Sequence, residues 1–458
     1  MAFTLNDTED LRIDRDPSNV YNLSDARDIL FESVYMPTFV RNDNSTLSDD
    51  NSLPTMAHRS SQAPKLDQIF EEDSDEENVL NCDNEESDTE EHEAEEEQPA
   101  VLNESTERIQ VFLRIRPEVK ADNYEIDQEE NILWVKNPSK TNKPSYNRFK
   151  FDKIFEDSSE QWPIVEKCAY PLLHDLLGGD NSLLFTYGIT SSGKSFTMRG
   201  SSKQPGIVPT SLVLLFETLA NNLHPNQRPN FKPINFNGLA GLSKSDQLFE
   251  SKVKQRLFDE IQNIGEINRE IENFKKFSST LLESYFESHV CPLRGELDAN
   301  GSTTAGLWVS YWEVYNEKVY DLLNPGNHTR RQSTVTLKSV NSSSNDKIFI
   351  PQGLMQVYVN SAEEALRIYL YGQENLKKHI SSTALNSSSS RSHSSFNITL
   401  VNSDGHSAIV SNLSFCDLAG RERTKKSLVT KTHLKEANSI NQSLLTLGQC
   451  IRSLRATK

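Results

Sequence analysis

Three short stretches carry residue types and spacings suited to phosphate chemistry. The first reads Gly188-Ile189-Thr190-Ser191-Ser192-Gly193-Lys194-Ser195. It is a glycine-bracketed loop whose backbone N–H groups cradle phosphates, while its lysine supplies charge and its serine hydroxyl a magnesium ligand. The second, residues 386–393, reads Asn-Ser-Ser-Ser-Ser-Arg-Ser-His. Its hydroxyls can reach a terminal phosphate and Mg²⁺, and Arg391 can pair with a carboxylate such as Glu422. The third, residues 417–422, reads Asp-Leu-Ala-Gly-Arg-Glu. There Asp417 can hold a metal-bound water and the N–H of Gly420 can face a γ-phosphate. Together they describe one nucleoside-triphosphate pocket able to detect its terminal phosphate.

Such a pocket needs elements to aim it. Residues 182–187, Ser-Leu-Leu-Phe-Thr-Tyr, form a compact apolar run suited to a buried strand, and a helix opens at Gly193 with its N-terminus toward the anion. A second apolar run, residues 409–415, places Asp417 at a strand end. The expected fold is a three-layer α/β domain with a mostly parallel central sheet between helices. The loop and both sensing segments lie at the carboxyl ends of strands, where open α/β sheets bind ligands.

In order and content these segments resemble the kinesin motor family: a phosphate loop, then Asn-x-x-Ser-Ser-Arg-Ser-His as switch I, then Asp-Leu-Ala-Gly-x-Glu as switch II. The likeness extends to Val111-Phe-Leu-Arg114-Ile-Arg116-Pro117, Phe149-Lys-Phe-Asp152-Lys-Ile-Phe155, Tyr311-Trp-Glu-Val-Tyr315-Asn316-Glu317 and Asn438-Ser-Ile-Asn441-Gln-Ser443-Leu444-Leu445-Thr-Leu447-Gly448. It covers residues 107–458. The resemblance implies a P-loop NTPase that uses ATP and Mg²⁺. It assigns Arg114, Pro117 and Phe196 to the adenine, Lys194 and Ser195 to phosphate and magnesium, and Ser389 and Ser390 to γ-phosphate and magnesium. It gives Asp417 a metal-bound water, Gly420 the γ-phosphate, and the Arg391–Glu422 pair the closed, hydrolysis-competent state.

Two departures stand out. Ile189 and Ser191 occupy positions where the family usually has Gln and a small residue, often Gly, and Arg421 replaces the usual Ser of switch II. None of these removes a group assigned to phosphate or metal.

Between the phosphate-loop region and the strand around Trp308 lies an unusually long insertion, about residues 225–305. Residues 225–242 read as loop, whereas 245–289 carry Leu248, Phe249, Val253, Leu257, Phe258, Ile261 and Ile264 at helical spacing, the pattern of one or two amphipathic helices. With the long acidic N-terminus, this insertion resembles the kinesin-6 group. That likeness implies an ATP-driven microtubule motor of the cytoplasm and cytoskeleton, at the spindle and its midzone, bundling microtubules and supporting cytokinesis. A nucleotide-binding microtubule crosslinker with little turnover is the alternative.

Charge divides along the chain. Residues 1–106 hold 29 Asp and Glu against 6 Lys and Arg, a net of −23, so the remainder carries +5 of a total of −18. The polyacidic run 71–97 cannot bury enough apolar surface to offset ordering, so residues 1–106 are expected to be a disordered acidic arm. Ser74 and Ser87 precede acidic clusters suited to acid-directed kinases. The five cysteines are scattered without metal or disulfide spacing, as in a reducing compartment. No apolar run approaches membrane-spanning length, and the N-terminus lacks a secretory pattern.

Residues 421–458 hold nine Lys and Arg against two Glu, with helical periodicity over 433–454. By the resemblance this basic stretch meets the acidic microtubule through Arg423, Lys425, Lys426, Lys431 and Lys435. No base-reading helix, aromatic platform or zinc finger accompanies it, which disfavours nucleic acid. In the family a further track-binding loop, edge strand, helix, neck linker and self-associating stalk follow this point. The lever is therefore expected beyond Lys458.

Overall fold

The computed structural model describes residues 34–42, 109–117, 124–137, 145–220, 223, 229–234, 238–288, 304–324, 334–341, 347–381, 391–403, 408–420 and 431–456. One unit comprises residues 1–45 and 107–458. The other, 46–106, contains the polyacidic run and lies outside the described residues.

In chain order the first unit runs through β1 (Val34–Asn42), β2 (Gln110–Ile115), β3 (Tyr124–Asp127), β4 (Ile132–Asn137), β5 (Ser145–Lys150) and β6 (Lys153–Phe155), then helices α1 (Gln161–Cys168) and α2 (Tyr170–Gly178). Strand β7 (Asn181–Tyr187) precedes the phosphate loop, which opens into the short helix α3 (Lys194–Arg199) and then α4 (Ile207–Thr218). A ribbon of β8 (Phe231–Pro233) and β9 (Leu239–Gly241) leads to helices α5 (Lys244–Gln262) and α6 (Gly265–Ser288). There follow β10 (Thr304–Tyr315), β11 (Lys318–Asp321), β12 (Thr334–Asn341), β13 (Lys347–Gln352), β14 (Val357–Val359) and helix α7 (Ala362–Ser381). The pair β15 (His393–Ser403) and β16 (Ala408–Asp417) and helix α8 (Lys431–Ala456) complete the described elements.

Among the described residues the central sheet has the order β13-β12-β11-β10-β15-β16-β7-β1-β2-β6, with β14 also on β10. It is mixed, which corrects the expectation of a mostly parallel sheet: only β16 with β7 and β2 with β6 pair in parallel. The reason is connection length. β15 and β16 are separated only by residues 404–407, too few for a helical crossover, so they form an antiparallel hairpin. β1, from the acidic N-terminal stretch, lies antiparallel between β2 and β7. Its sequence, Val-Tyr-Met-Pro-Thr-Phe-Val-Arg-Asn, has no carboxylate, unlike the residues around it.

The three layers follow from strand alternation. On β7, Leu184 joins the larger core with Ile164 of α1, Leu172 of α2, Leu212 of α4 and Ile368 of α7. Its neighbour Phe185 points to the opposite face and packs with Ile440 and Leu444 of α8. The turn between α2 and β7 uses Gly179 at φ 99°, a left-handed cap that a side chain would strain.

The insertion folds on its own domain. Ser243 opens α5 through a reciprocal capping box with Asp246. Leu257 and Ile261 of α5, and Ile267, Ile271 and Phe274 of α6, are buried in the larger core at the i, i+4, i+7 spacing of one helical face. The stretch expected to be loop contains the small ribbon of β8 and β9.

Candidate nucleotide site

Parallel pairing aligns the carboxyl ends of β7 and β16, with Asp417 opposite Thr186. That register brings together two motifs more than 220 positions apart. The Ser195 hydroxyl donates to Asp417 Oδ2 at 2.6 Å, and the Thr186 hydroxyl donates to Asp417 Oδ1 at 3.0 Å. Burial raises the Asp417 carboxyl above its ordinary range, opposed by hydrogen bonds from Ser195 and Thr186 and by the Lys194 charge.

The loop between them is tightly wound. Gly193 has φ 105° and Ser191 φ 64°. The second value explains why a glycine suits the Ser191 position in the related pattern, since only glycine enters that region without a steric cost. Lys194 is 5% exposed, and its ammonium donates to the carbonyls of Gly188 at 3.0 Å and Ile189 at 2.9 Å. Arg116, an exposed side chain, donates to the Ser191 carbonyl at 2.5 Å. Gly420 closes the other side. A Cβ there would stand 2.2 Å from Thr190 Oγ1 and 2.6 Å from Thr190 N, so only a bare backbone fits against the loop.

Beside the loop, Arg114 is 8% exposed and donates through Nη1 to Gln161 Oε1 at 3.1 Å and Thr197 Oγ1 at 2.7 Å. Its guanidinium lies 5.2 Å from the centroid of the Phe196 ring, which is 40% exposed. Gln161 in turn donates to the Phe196 carbonyl at 2.8 Å. Arg114 and Phe196 thus form a flat cationic–aromatic ledge next to the phosphate loop. Pro117 is exposed at the end of β2.

His393 connects this pocket to the far helix. Its Nδ1 accepts from the Ala419 N–H at 3.1 Å, so the ring proton sits on Nε2, which donates to Ser443 Oγ on α8 at 2.8 Å. The Ser443 hydroxyl passes on to the Ile440 carbonyl at 2.8 Å. Burial first, and then the Lys194 charge, lower the imidazole to about 4, which keeps it neutral at physiological pH.

The structure therefore joins Gly188, Ile189, Thr190, Ser191, Ser192, Gly193, Lys194 and Ser195 with Asp417 and Gly420, and sets Arg114 and Phe196 alongside. Arg391 lies just before β15, so this segment meets the amino end of a strand and not the expected carboxyl end, because β15 runs antiparallel to β16 and sets Ser394 opposite Asp417. Ser389, Ser390, Glu422, Arg423, Lys425 and Lys426 lie outside the described residues, and of Lys431 and Lys435 only their place in α8 is described. Thr186, Gln161 and Arg116 are additional contributors. A threonine or arginine in a strand run has no spacing signature, because its role is set by a partner distant in sequence.

A kinesin motor-domain family model matches residues 85–458. The chain belongs to the kinesin motor-domain family. It is 32% identical over 409 residues to mouse kinesin-like protein KIF20A, covering 79% of this chain and 44% of that protein. It is 30% identical over 348 residues to the Drosophila melanogaster kinesin-like protein subito, covering 76% of this chain and 52% of that one. A solved structure titled kinesin 6 superposes with a TM-score of 0.52 at 28% identity, over 75% of this chain and 81% of its own. The chain spans about half the length of the curated relatives it matches.

The donor set fits magnesium and a phosphate chain. A serine hydroxyl and a carboxylate converge within hydrogen-bond distance, which is hard-oxygen chemistry. The Ser192 hydroxyl is buried in the loop with no hydrogen-bond partner among the described residues. A bound phosphate oxygen would satisfy it.

Proposed function

We propose that the chain is an ATP-hydrolysing motor domain of kinesin-6 type that couples its nucleotide cycle to microtubules, acting at the spindle and its midzone. The observation that carries this reading is the Ser195–Asp417 hydrogen bond, supported by the close approach of Gly420 to Thr190. Phosphate loop and sensing segment share one pocket, and a change at the terminal phosphate must move one against the other.

Within the pocket each residue has a distinct task. Lys194, already desolvated, neutralises charge on the transferring phosphoryl group without reorganising water. Ser195 and, by resemblance, Ser390 would hold magnesium, with Asp417 holding a metal-bound water; when bound, the ion supplies charge neutralisation across the phosphates. The loop N–H groups orient the chain, and the Arg114–Phe196 ledge with Pro117 receives the base. Ser389 and the Gly420 N–H address the γ-phosphate, and Arg391 pairs with Glu422 when the switches close. Water attack in line with the leaving group needs no covalent enzyme intermediate. The track side is the basic stretch containing Arg423, Lys425, Lys426, Lys431 and Lys435. Self-association and spindle partners are inferred by resemblance alone.

Phosphate release by the full chain, with and without microtubules, tests the reading. Stimulated release by the parent, and its loss by at least about 100-fold in Lys194→Ala with unchanged circular dichroism, is the expected result. Nucleotide and microtubule binding without turnover would instead make the chain a crosslinker.

A further inference from the structure

The insertion does more than cover the core, because it touches both the phosphate-loop helix and α7, the helix that precedes the switch I segment in sequence. α3 has six residues, too few to hold a helix unaided, so its direction depends on what grips its ends. At its C-terminal end Arg199, 22% exposed, donates from Nη2 to Glu270 of α6 in a close charge-assisted bond.

The same insertion runs along α7. Lys254 of α5 donates to Glu364 at 2.7 Å, and the Tyr371 hydroxyl donates to Glu260 at 2.6 Å. Arg367 donates to Asn268 of α6 at 2.8 Å, and Lys275 lies 3.5 Å from Glu363. These links cover α7 from its first turn to its middle. α7 ends at Ser381, five residues before the hydroxyl-rich switch I segment begins at Asn386. Ile267, Ile271 and Phe274 anchor α6 to the core, so it cannot follow α3 if α3 shifts.

We propose that the insertion is a brace that fixes the phosphate-loop helix against the helix preceding switch I, with Glu270 as its positioning residue. The inference rests on the nucleotide-pocket reading above. Loosening the brace frees the end of α3, so bound nucleotide leaves faster and ATP is held less firmly. The chemical groups themselves are untouched.

The test is stopped-flow release of a fluorescent ADP analogue from the full chain, together with ATPase KM and kcat. Glu270→Gln keeps size and one acceptor but loses the charge. It is expected to speed release and raise KM about fivefold, with kcat within about twofold and the melting temperature nearly unchanged. Exchanging the charges, Arg199→Glu with Glu270→Arg, is expected to return release toward the parent rate. Asp259→Asn, which removes the charge of an exposed carboxylate on α5 that accepts from Gln255, serves as control and should leave release as in the parent. Unchanged release in Glu270→Gln, or equal acceleration in the Asp259 control, overturns the brace while leaving the pocket intact. A parent that fails to bind the analogue overturns the pocket reading and the brace with it.

Discussion

Gly420 shows how little room the pocket leaves. A single added carbon would meet the Thr190 amide nitrogen at 2.6 Å, and backbone cannot rotate away as a side-chain end could. Gly420→Ala is therefore expected to push the sensing segment off the loop and lower phosphate release at least about 100-fold. The stability cost should stay within about 1–3 kcal/mol, since the clash lies at the surface of the pocket and not in the core. Release within a few-fold of the parent would mean that the two segments do not meet during turnover. The phosphate loop was legible in the sequence because glycine, lysine and serine at fixed offsets form a local signature. Thr186 was not legible, since its role depends on Asp417, 231 positions away.

At the scale of elements, β15 and α8 are joined through one imidazole. In the unfolded chain His393 titrates near 6.5, whereas in the fold it is held neutral down to about 4. Between those values the unfolded state binds the extra proton. Stability is thus full above pH 6.5 and falls as pH drops toward 4, by about 1.4 kcal/mol per unit from this group. Denaturant titrations at pH 7 and pH 5 are expected to show that His393→Asn loses less stability on acidification than the parent. Equal losses would remove the imidazole from the account. Ser443→Ala, which takes away the hydroxyl on α8, should weaken microtubule stimulation more than basal turnover. Helices α5, α6 and α8 were legible from periodicity, with ends close to those expected. Strand directions were not, because periodicity records which face is buried but not which distant strand lies alongside.

For the whole molecule, the distribution of charge matters more than its sum. Residues 71–97 hold sixteen carboxylates and no lysine or arginine, against the basic residues 421–458. Deleting 71–97 leaves β1 in place. It is expected to raise microtubule affinity several-fold at low salt, with the gain vanishing as the Debye length falls to about 3 Å near 1 M salt. Cosedimentation across a salt series measures this, and an affinity gain that persists at high salt would point to a contact other than long-range charge.

The position of β7 has a consequence for synthesis. Its two sheet neighbours are residues 34–42 and residues 408–417, so the strand that carries the phosphate loop is flanked by one strand made well before it and one made more than 200 residues after it. A growing chain has the whole loop long before it has Asp417, and until then Ser195 lacks its partner. ATP can therefore engage both halves of the pocket only once synthesis has passed Asp417, and the ligand becomes a check on that stage of assembly. One edge of β7 must meanwhile wait, through more than 200 residues of translation, for the strand that pairs with it.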